Sequence, residues 1–553
     1  MRYPLEIWGG LECSVVRVGK TVRNQLRETG YTIRRDDLQL IASTGIKALR
    51  YPVLWEEIEP VQGQRNWERS DADLRILRDA GIRPIAGLVH HGSGPLWTDV
   101  LDPGFPHHLA LHARAVAERY PWIEMFTPIN EPLTTARISG LYGLWHPHSS
   151  DEATFLQLVV AQCKAVAAAM RAIRALNPAA KLVQTEDLGR VFATPKLSYQ
   201  AEFENERRWL AMDLLAGRVD RSHPFFQRLL DHGIEPSDLV GLRDEPCPAD
   251  IIGLDYYLTS DRFLDERLEL YPGEPPGGNG RDVYVDVAAV RAHVPEQMLG
   301  VLPRIMEIWD RYELPISITE QHNGCTRDEQ LRWLIEGWRA AETARRLGAD
   351  VRSVTCWSML GALDWNSMLV RQEGYYEPGA FDIRYSPPRP TVLATAISRL
   401  SREGDFDHPV LDAPGWWRRD ISPAEGRRSI FLTGFGRMAS VIGECCALRR
   451  LRVLAIGSHE VLEHKWGDAG AWALIRVDEP AHSSGKAVRL HAEYATGGML
   501  TLNVPADVEW RPAANSFLDL LVDQATGDLH LASAGDHNQY VLETGARAGG
   551  ARP

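Results

Sequence analysis

The stretch Thr127-Pro128-Ile129-Asn130-Glu131-Pro132 places a glutamate at the end of a segment that the sequence predicts to be a buried strand. The run before it, Trp122-Ile123-Glu124-Met125-Phe126, is apolar and aromatic, and prolines bound the whole segment. Burying a carboxylate is costly unless the group is paired or functional. A second segment, Pro315-Ile316-Ser317-Ile318-Thr319-Glu320, repeats the pattern and also delivers a glutamate at its end. The two glutamates are therefore candidates for a shared site.

Strand and helix signals alternate from residue 5 to about residue 400. Eight segments read as strands: Leu5–Glu12, Lys47–Tyr51, Arg83–His90, Ile123–Glu131, Lys181–Thr185, Ile251–Tyr257, Pro315–Glu320 and Ser353–Trp357. Helical stretches lie between them, among them Asp36–Ser43, Ser70–Ala80, Phe155–Leu176, Pro295–Tyr312 and Asp328–Leu347. This alternation predicts an α/β fold, a (β/α)₈ TIM barrel, over residues 1–400.

In such a barrel Glu131 and Glu320 end strands four and seven, on the face where barrel enzymes carry their sites. Glycoside hydrolysis needs two carboxyl groups of this kind, one as acid/base and one as nucleophile or second base. Burial of Glu131 beside an ionised Glu320 is expected to raise the pKa of Glu131.

The chain after residue 400 reads as a second, smaller domain. Residues 401–428 are rich in proline, glycine and charge, which predicts a linker. A strand then runs into the glycine turn at Gly434 and Gly436, followed by a helix, Met438–Leu448, and a strand, Arg452–Gly457. This order predicts a Rossmann-like α/β unit over residues 429–553.

Composition narrows the possible partners and the cellular setting. The net charge of −13 argues against nucleic acid and anionic membrane as partners. We expect no membrane span, because no apolar run reaches 18 residues, and the N-terminus lacks a signal-peptide pattern. The seven cysteines are scattered, which favours a cytoplasmic protein without a disulfide framework or a zinc site. We expect no metal and no cofactor, and the sequence leaves the oligomeric state open.

Residues 5–400 resemble glycoside hydrolase family 1, the retaining β-glycosidases. Six motifs carry the resemblance, in the family's order: Gly45–Tyr51 with Trp55, Leu88–His90 with Pro95, Thr127–Pro132, Asp250–Tyr257, Ile318–Glu320 with Asn323-Gly324, and Trp357–Leu360 with Asp364-Trp365. The resemblance implies a small-molecule glycoside as substrate, with Glu131 as acid/base and Glu320 as nucleophile. It also implies that Arg50 and Tyr257 support the nucleophile.

The same resemblance implies which side chains contact the sugar: Asn130, His90, Glu12, Tyr257, Asp255, Trp357, Asp364 and Trp365. Four features depart from the family pattern. The family's first-strand, sugar-binding glutamine is not evident, and Glu12 is the candidate to take its place. Gln321-His322 intervene before Asn323-Gly324, Asp255 replaces an asparagine, and Asp364 replaces a glutamate. The catalytic motifs are therefore kept while the residues that recognise the sugar differ.

The tail resembles a truncated dTDP-4-dehydrorhamnose reductase, a sugar-nucleotide-binding family. Residues 429–458 and 515–533, with Ser516–Asp523 as a helix and Leu529–Ala532 after it, carry the resemblance. No Tyr-x-x-x-Lys pair follows residue 428, so the catalytic pair of that family is missing. Two alternatives to a glycosidase stay open: a non-catalytic sugar-binding barrel, and an NAD(P)H-dependent sugar-nucleotide reductase, against which the missing pair argues.

Overall fold

The computed structural model describes residues 4–271, 274–292, 294–418, 429–434, 436–448, 451, 453–456, 471–479, 487–495, 498–505, 508, 510–526 and 541–545. The chain separates into two compact units, Met1–Phe406 and Asp407–Pro553. The predicted linker is described only as far as residue 418, and the predicted segment Leu529–Ala532 lies outside the described residues.

The first unit is built on a closed barrel of eight parallel strands, so the predicted TIM barrel is confirmed. Each strand pairs with the next along the chain, and β8 closes onto β1. The strands are β1 (Glu6–Gly10), β2 (Ala48–Pro52), β3 (Arg83–His90), β4 (Met125–Asn130), β5 (Lys181–Asp187), β6 (Ile251–Tyr256), β7 (Ile316–Gln321) and β8 (Val351–Cys356).

The interior of the barrel is apolar at one end and polar at the other. A buried cluster from the amino-terminal halves of six strands closes the first end: Trp8, Ala48, Ile85, Met125, Val183 and Ile251. Buried charged and amide side chains follow at the carboxyl ends, among them Arg50, Asn130 and Glu320. The apolar cluster supports the barrel, and the polar end is free to carry a site.

Helices surround the barrel. Those of the first unit are Gln25–Glu28, Asp37–Ser43, Trp55–Ile58, Glu68–Asp79, Phe105–Arg119, Pro132–Ala136, Glu152–Arg174, Ser198–Arg207, Leu210–Leu215, Phe226–Asp231, Pro236–Asp244, Val301–Tyr312, Arg327–Leu347 and Val392–Glu403. A π-helical turn, Arg137–Leu141, follows the Pro132–Ala136 helix. Helix Glu152–Arg174 has the length and apolarity of a membrane span, but 67% of its apolar window is buried within the protein.

Helix starts follow local capping chemistry. The Asp151 side chain accepts a hydrogen bond from the N–H of Thr154, and Thr326 caps the helix Arg327–Leu347 in the same way through Glu329. The helix predicted from Pro295 to Tyr312 begins instead at Val301. Gly300, with φ of 101°, interrupts the backbone there, and only a short 3₁₀ turn, Glu296–Met298, precedes it.

Short strands outside the barrel form insertions that the sequence did not predict. A hairpin pairs Val15–Val18 with Thr21–Asn24. A four-stranded sheet joins Gly277–Gly278, Val283–Ala288, Arg262–Asp265 and Val191–Ala193. Two further pairs are Ala362–Leu363 with Tyr376–Glu377, and Phe381–Asp382 with Arg389–Pro390.

The second unit contains a mixed six-stranded sheet. Its strands are β9 (Ser429–Thr433), β10 (Val453–Ala455), β11 (Ala471–Asp478), β12 (Val488–Tyr494), β13 (Met499–Val504) and β14 (Val541–Gly545), in the order β10-β9-β11-β12-β13-β14. The first three are parallel, and β12 to β14 are antiparallel. Helices Arg437–Leu448 and Trp510–Thr526 pack on this sheet around one apolar core.

Candidate active site

Glu131 and Glu320 come together at the carboxyl end of the barrel. Glu320 lies within β7, and Glu131 directly follows β4. Together with Asp255 of β6, they place one carboxyl oxygen each within 4.8 Å of one another. Inverting glycosidases separate their two carboxyl groups by about 6.5–9.5 Å, whereas retaining enzymes hold them about 5–5.5 Å apart. The short separation fits the retaining arrangement.

Two donors hold the Glu320 carboxylate. Arg50, from β2, donates from Nη1 to Glu320 Oε1 at 2.7 Å, and the Tyr257 hydroxyl donates to Oε2. Arg50 also lies over the ring of Trp357, 4.6 Å from its centroid. Burial raises the pKa of Glu320, and Arg50 and Tyr257 oppose that rise. Arg50 and Tyr257 therefore favour the ionised form of Glu320 and orient its carboxylate.

Glu131 lies in a different environment. Glu131 is only 4% exposed, and its Oε1 receives no hydrogen bond from an N–H or hydroxyl group within the described part of the chain. Burial, with the charges of Asp255 and Glu320, raises the pKa of Glu131 well above its ordinary value. Its backbone has φ of 45°, a left-handed conformation that is unusual for a side-chain-bearing residue and is found at functional sites. This environment favours a protonated acid.

Asn130 and His90 form the wall beside the two glutamates. The Asn130 side-chain oxygen accepts hydrogen bonds from Arg50 and from the Thr185 hydroxyl, the latter at 2.7 Å. Its amide nitrogen lies 3.2 Å from His90 Nε2. The His90 ring stacks on Trp357 with 5.6 Å between centroids and an angle of 9°. Burial lowers the pKa of His90 well below its ordinary value, so the ring is neutral.

Asp255 has no exposed surface and lies among charged groups. It is the register partner of Glu320 in the neighbouring strand, and Arg50 Nη1 is 3.7 Å from its Oδ1. Neither of its oxygens receives a well-aligned hydrogen bond from any donor that the structure describes, although the Thr319 hydroxyl lies beside it. The sequence predicted a ligand for sugar hydroxyls at this position. The structure places Asp255 against the two glutamates, and its contact with sugar hydroxyls stays a prediction.

Glu12 and Asp364 both lie near the site but differ in how their charge is compensated. Glu12 accepts hydrogen bonds from the Ser14 N–H at 2.9 Å and the Ser14 hydroxyl at 2.5 Å. Burial, together with the charge of Glu320, raises the pKa of Glu12 to about 7. Asp364 accepts from Arg23 at 2.8 Å and from the backbone N–H groups of Glu373 and Tyr375. Most of the hydrogen-bonding capacity of Asp364 is therefore already used.

Aromatic side chains complete the site. Trp365 is half-buried and lies edge-on to Trp145, with ring centroids 6.0 Å apart. Its ring also makes an edge contact with His91 at 5.7 Å. Tyr257 is half-buried as well, whereas Trp357 is 4% exposed. The half-buried rings offer apolar surface of the kind on which sugar rings stack.

The structure adds polar residues that the sequence analysis did not assign. His91, with φ of 59°, places Nε2 3.6 Å from Glu131 Oε2, and its other nitrogen contacts the Thr135 hydroxyl at 2.9 Å. Burial lowers the pKa of His91 to about 3. Glu186 and Asp187 lie at the end of β5. The stretch Thr185-Glu186-Asp187 therefore carries the same sequence signal as Glu131 and Glu320, which is an acidic residue at the end of a predicted strand.

The three clustered carboxyls could in principle hold a cation, because each offers an oxygen within 4.8 Å of the others. Arg50 and Tyr257 already bind one oxygen each of Glu320. The guanidinium thus supplies the positive charge that a metal ion would bring. The donor set is accounted for more simply by protons and Arg50 than by a metal.

Comparison with known proteins relates the barrel unit to β-glycosidases. The chain is 19% identical to beta-glucosidase 47 of Arabidopsis thaliana over 421 residues, which cover 69% of this chain and 76% of the relative. A beta-glycosidase from Pyrococcus horikoshii superposes with a TM-score of 0.58 at 18% identity, covering 74% of this chain and 97% of that structure. A beta-glucosidase from Thermotoga maritima in complex with castanospermine gives 0.59 at 15% identity, covering 74% and 100%. No family model matches the chain.

Proposed function

We propose that the protein is a retaining β-glycosidase of the family-1 type, which transfers a β-glycosyl group to water or to another acceptor through a covalent glycosyl-enzyme. The supporting observation is the pair Glu131 and Glu320: two close, buried carboxyls in unlike environments. Burial and two neighbouring carboxyls favour the acid form of Glu131, and Arg50 with Tyr257 favours the ionised form of Glu320. The names of the similar proteins support the same assignment.

In the first step Glu320 attacks the anomeric carbon, and the bond from that carbon to the leaving oxygen breaks. Glu131 gives its proton to that oxygen, so the aglycone leaves as an alcohol. In the second step the ionised Glu131 removes a proton from water while the water oxygen displaces Glu320. Two inversions at the anomeric carbon leave the product with the β configuration of the substrate.

The side chains around the pair suggest how the sugar is held. Asn130 and His90 face the pair from adjacent strands, and Glu12 is bonded by Ser14 and not by an ammonium or guanidinium group of the described residues. We assign sugar hydroxyl contacts to these three, and ring contacts to Trp357 and Trp365. Asp364, already bound by Arg23 and two backbone groups, is better assigned to anchoring its loop.

The two alternative functions fit the site less well. A non-catalytic sugar-binding barrel has no need for one protonated and one ionised carboxyl held within 4.8 Å. A nicotinamide-dependent reductase needs a catalytic Tyr-x-x-x-Lys pair, which the sequence after residue 428 lacks. With that pair missing, the remaining support for a reductase would be nucleotide binding by the second unit.

We infer that the second unit is a Rossmann-like domain whose phosphate position is filled by its own side chain. Gly434 and Gly436 have φ of 123° and 107°, and a helix begins directly after them. Rossmann folds bind a pyrophosphate at this helix start. Here the Glu479 carboxylate accepts a hydrogen bond from the Met438 N–H at 3.1 Å, and a Cβ on Gly436 would lie 2.3 Å from the same oxygen. A nucleotide phosphate would meet a negative charge there.

Calorimetric titration of the full chain with NADPH tests this assignment. We expect no binding at micromolar concentrations, because the Glu479 carboxylate occupies the phosphate position and repels a phosphate group. A dissociation constant near 1 μM, about −8 kcal/mol, would overturn it.

A screen of nitrophenyl β-glycosides, followed by proton NMR of the fresh hydrolysate, tests the proposed function. We expect release of nitrophenol and a β sugar as the first product. The α anomer appearing first would show that water, and not Glu320, attacks the substrate. No turnover of any glycoside in the screen, with sugar binding still measurable, would favour the non-catalytic barrel.

A further inference from the structure

The third carboxyl of the site, Asp255, is not needed by the two-carboxyl mechanism. It has no exposed surface, and one of its oxygens is within 4.8 Å of an oxygen of both Glu131 and Glu320. Register places it beside Glu320 on one side and beside Asp187 of β5 on the other. Three carboxyls at this separation cannot all be ionised without a large electrostatic cost.

Positive charge in the cluster compensates only one of these carboxyls. Arg50 is the one guanidinium or ammonium group bonded to them within the described ranges, and its 2.7 Å hydrogen bond goes to Glu320. Its distance to Asp255 is 3.7 Å, too long for a hydrogen bond. His90 and His91 are neutral, because burial lowers the pKa of both rings. One guanidinium therefore faces three carboxyls and can balance the charge of only one of them.

Apart from Arg50, the groups that face Glu131 and Asp255 are neutral or acidic. Those around Glu131 are His91, Glu186, Asp187 and Glu320, and those around Asp255 are Arg50, Tyr257, Asp187 and Glu320. Protons on Glu131 and Asp255 leave one carboxylate, Glu320, opposite one guanidinium. The three carboxyls and Arg50 are then balanced in charge, as a buried site requires, and the nearby Glu186 and Asp187 interact with Arg137.

We propose that Asp255 is a neutral carboxylic acid in the resting protein, and that its O–H donates a hydrogen bond to Glu131 once Glu131 has given up its proton. Asp255 keeps its own proton throughout. When Glu131 protonates the leaving oxygen, it becomes a carboxylate in a buried site and needs a donor. Its Oε1 has none among the N–H and hydroxyl groups of the described residues. The Asp255 O–H supplies that donor and so stabilises the ionised acid/base between the two steps.

Asp255 is thus a positioning residue that acts through Glu131, and its role in turnover rests on the proposed function. An amide at this position would offer an N–H donor of the same shape and no charge. Asp255→Asn is therefore expected to preserve the hydrogen bond, and Asp255→Ala to remove it. A hydrogen bond to a charged group is worth enough to change a rate by about 10- to 100-fold.

Infrared difference spectroscopy at pH 7 tests the protonation state without any substrate. Subtracting the Asp255→Asn spectrum from that of the unmodified protein should show the loss of one protonated-carboxyl C=O band. Asp265→Asn is the matched control, because burial acts to raise the pKa of Asp265 but Arg267 lowers it overall. That variant should lose an ionised-carboxylate band instead. The same ionised-carboxylate loss in Asp255→Asn would overturn the proposal, whatever the activity of the protein.

The pH profile of kcat/KM gives a second readout. The high-pH limb of this profile follows the loss of the proton from Glu131. We expect Asp255→Asn to leave the limb within about half a pH unit of its position in the unmodified protein, and Asp255→Ala to lower kcat/KM about 10- to 100-fold. If Asp255 were ionised, the asparagine would remove a negative charge beside Glu131 and lower its pKa, so the limb would move down by a unit or more. Equal kcat/KM values for the asparagine and alanine variants would also contradict the proposal. A protein that shows the protonated band but cleaves no glycoside would refute the proposed function alone.

Discussion

At the scale of single residues, unlike environments divide the work between two chemically identical side chains. Arg50 and Tyr257 each donate to one oxygen of Glu320, while one oxygen of Glu131 faces no described N–H or hydroxyl donor. Sequence alone shows two glutamates at strand ends. The division of roles depends on which groups surround each carboxyl.

Replacement of Glu131 by alanine should make turnover depend on the leaving group. Loss of the proton donor is expected to lower kcat/KM about 10²–10⁴-fold for alkyl aglycones, which need protonation. The cost at the first step should be much smaller for a 2,4-dinitrophenyl glycoside, whose aglycone leaves unaided. The measurement is kcat/KM across aryl and alkyl glycosides of one sugar, with the unmodified protein as control. A uniform loss for all aglycones would remove Glu131 from the acid role.

Glu12 should make sugar binding depend on pH near neutrality. Its pKa is raised to about 7, and its ionised form accepts hydrogen bonds from sugar hydroxyls better than the acid does. KM should therefore fall as the pH rises through 7 in the unmodified protein. In Glu12→Gln, whose amide does not titrate, KM should be higher at pH 8 and nearly flat with pH. A KM profile that the substitution leaves unchanged would show that Glu12 does not contact the sugar.

At the scale of elements, the site depends on close approach of β1 to the chain after β8. A Cβ on Gly10, at the end of β1, would lie 2.4 Å from the Trp357 ring. Trp357 in turn stacks on His90 and lies beneath Arg50. Glycine at position 10 therefore lets one indole support two side chains of the site.

Gly10→Ala should displace Trp357 and lower kcat/KM by about tenfold or more, since small displacements of catalytic groups are costly. Circular dichroism and kinetics on the best nitrophenyl glycoside measure fold and activity separately. Gly241→Ala is the control, because no atom lies within 4 Å of a Cβ there. Unchanged kcat/KM in a folded Gly10→Ala protein would show that Trp357 does not position the site.

Most of the barrel could be predicted from the sequence, because buried parallel strands are short β-branched or apolar runs that can be recognised locally. The π-helical turn Arg137–Leu141 and the four-stranded insertion have no such signal. The sequence carries no signal for the role of His91, since its approach to Glu131 depends on a left-handed backbone at position 91. The depth of Asp255 depends on which strands neighbour β6 and on how the barrel closes.

At the scale of the molecule, the site is one of several places where carboxyl groups are buried at a cost in stability. Glu56 is 8% exposed, and neither oxygen of its carboxyl has a hydrogen-bond partner among the described residues. Burial raises the pKa of Glu56 to about 8. The folded state therefore binds this proton more tightly than the unfolded state does. The corresponding stability is present below about pH 4.5 and is lost as the pH rises to about 8.

Glu56→Gln should remove the loss of stability that accompanies the rise in pH to about 8. The Tm of the barrel transition should rise by about 2 °C or more at pH 8, and change less at pH 5, where the unmodified carboxyl keeps its proton. Differential scanning calorimetry at the two pH values measures this, and Glu118→Gln, a half-exposed residue in the helix Phe105–Arg119, is the control. An equal shift at both pH values would mean that packing, and not titration, is responsible.

The central claim is that Glu320 forms the covalent bond and Glu131 moves the proton. Azide rescue of the two alanine variants tests it most directly, because azide is a nucleophile that needs no general base. With an activated aryl β-glycoside, Glu131→Ala should yield a β-glycosyl azide, since azide displaces Glu320 from the intermediate. Glu320→Ala should yield the α-glycosyl azide, since azide takes the place of the missing carboxylate. NMR showing the reverse pair of anomers, or no azide product from either variant on a substrate that the unmodified protein cleaves, would contradict the assignment.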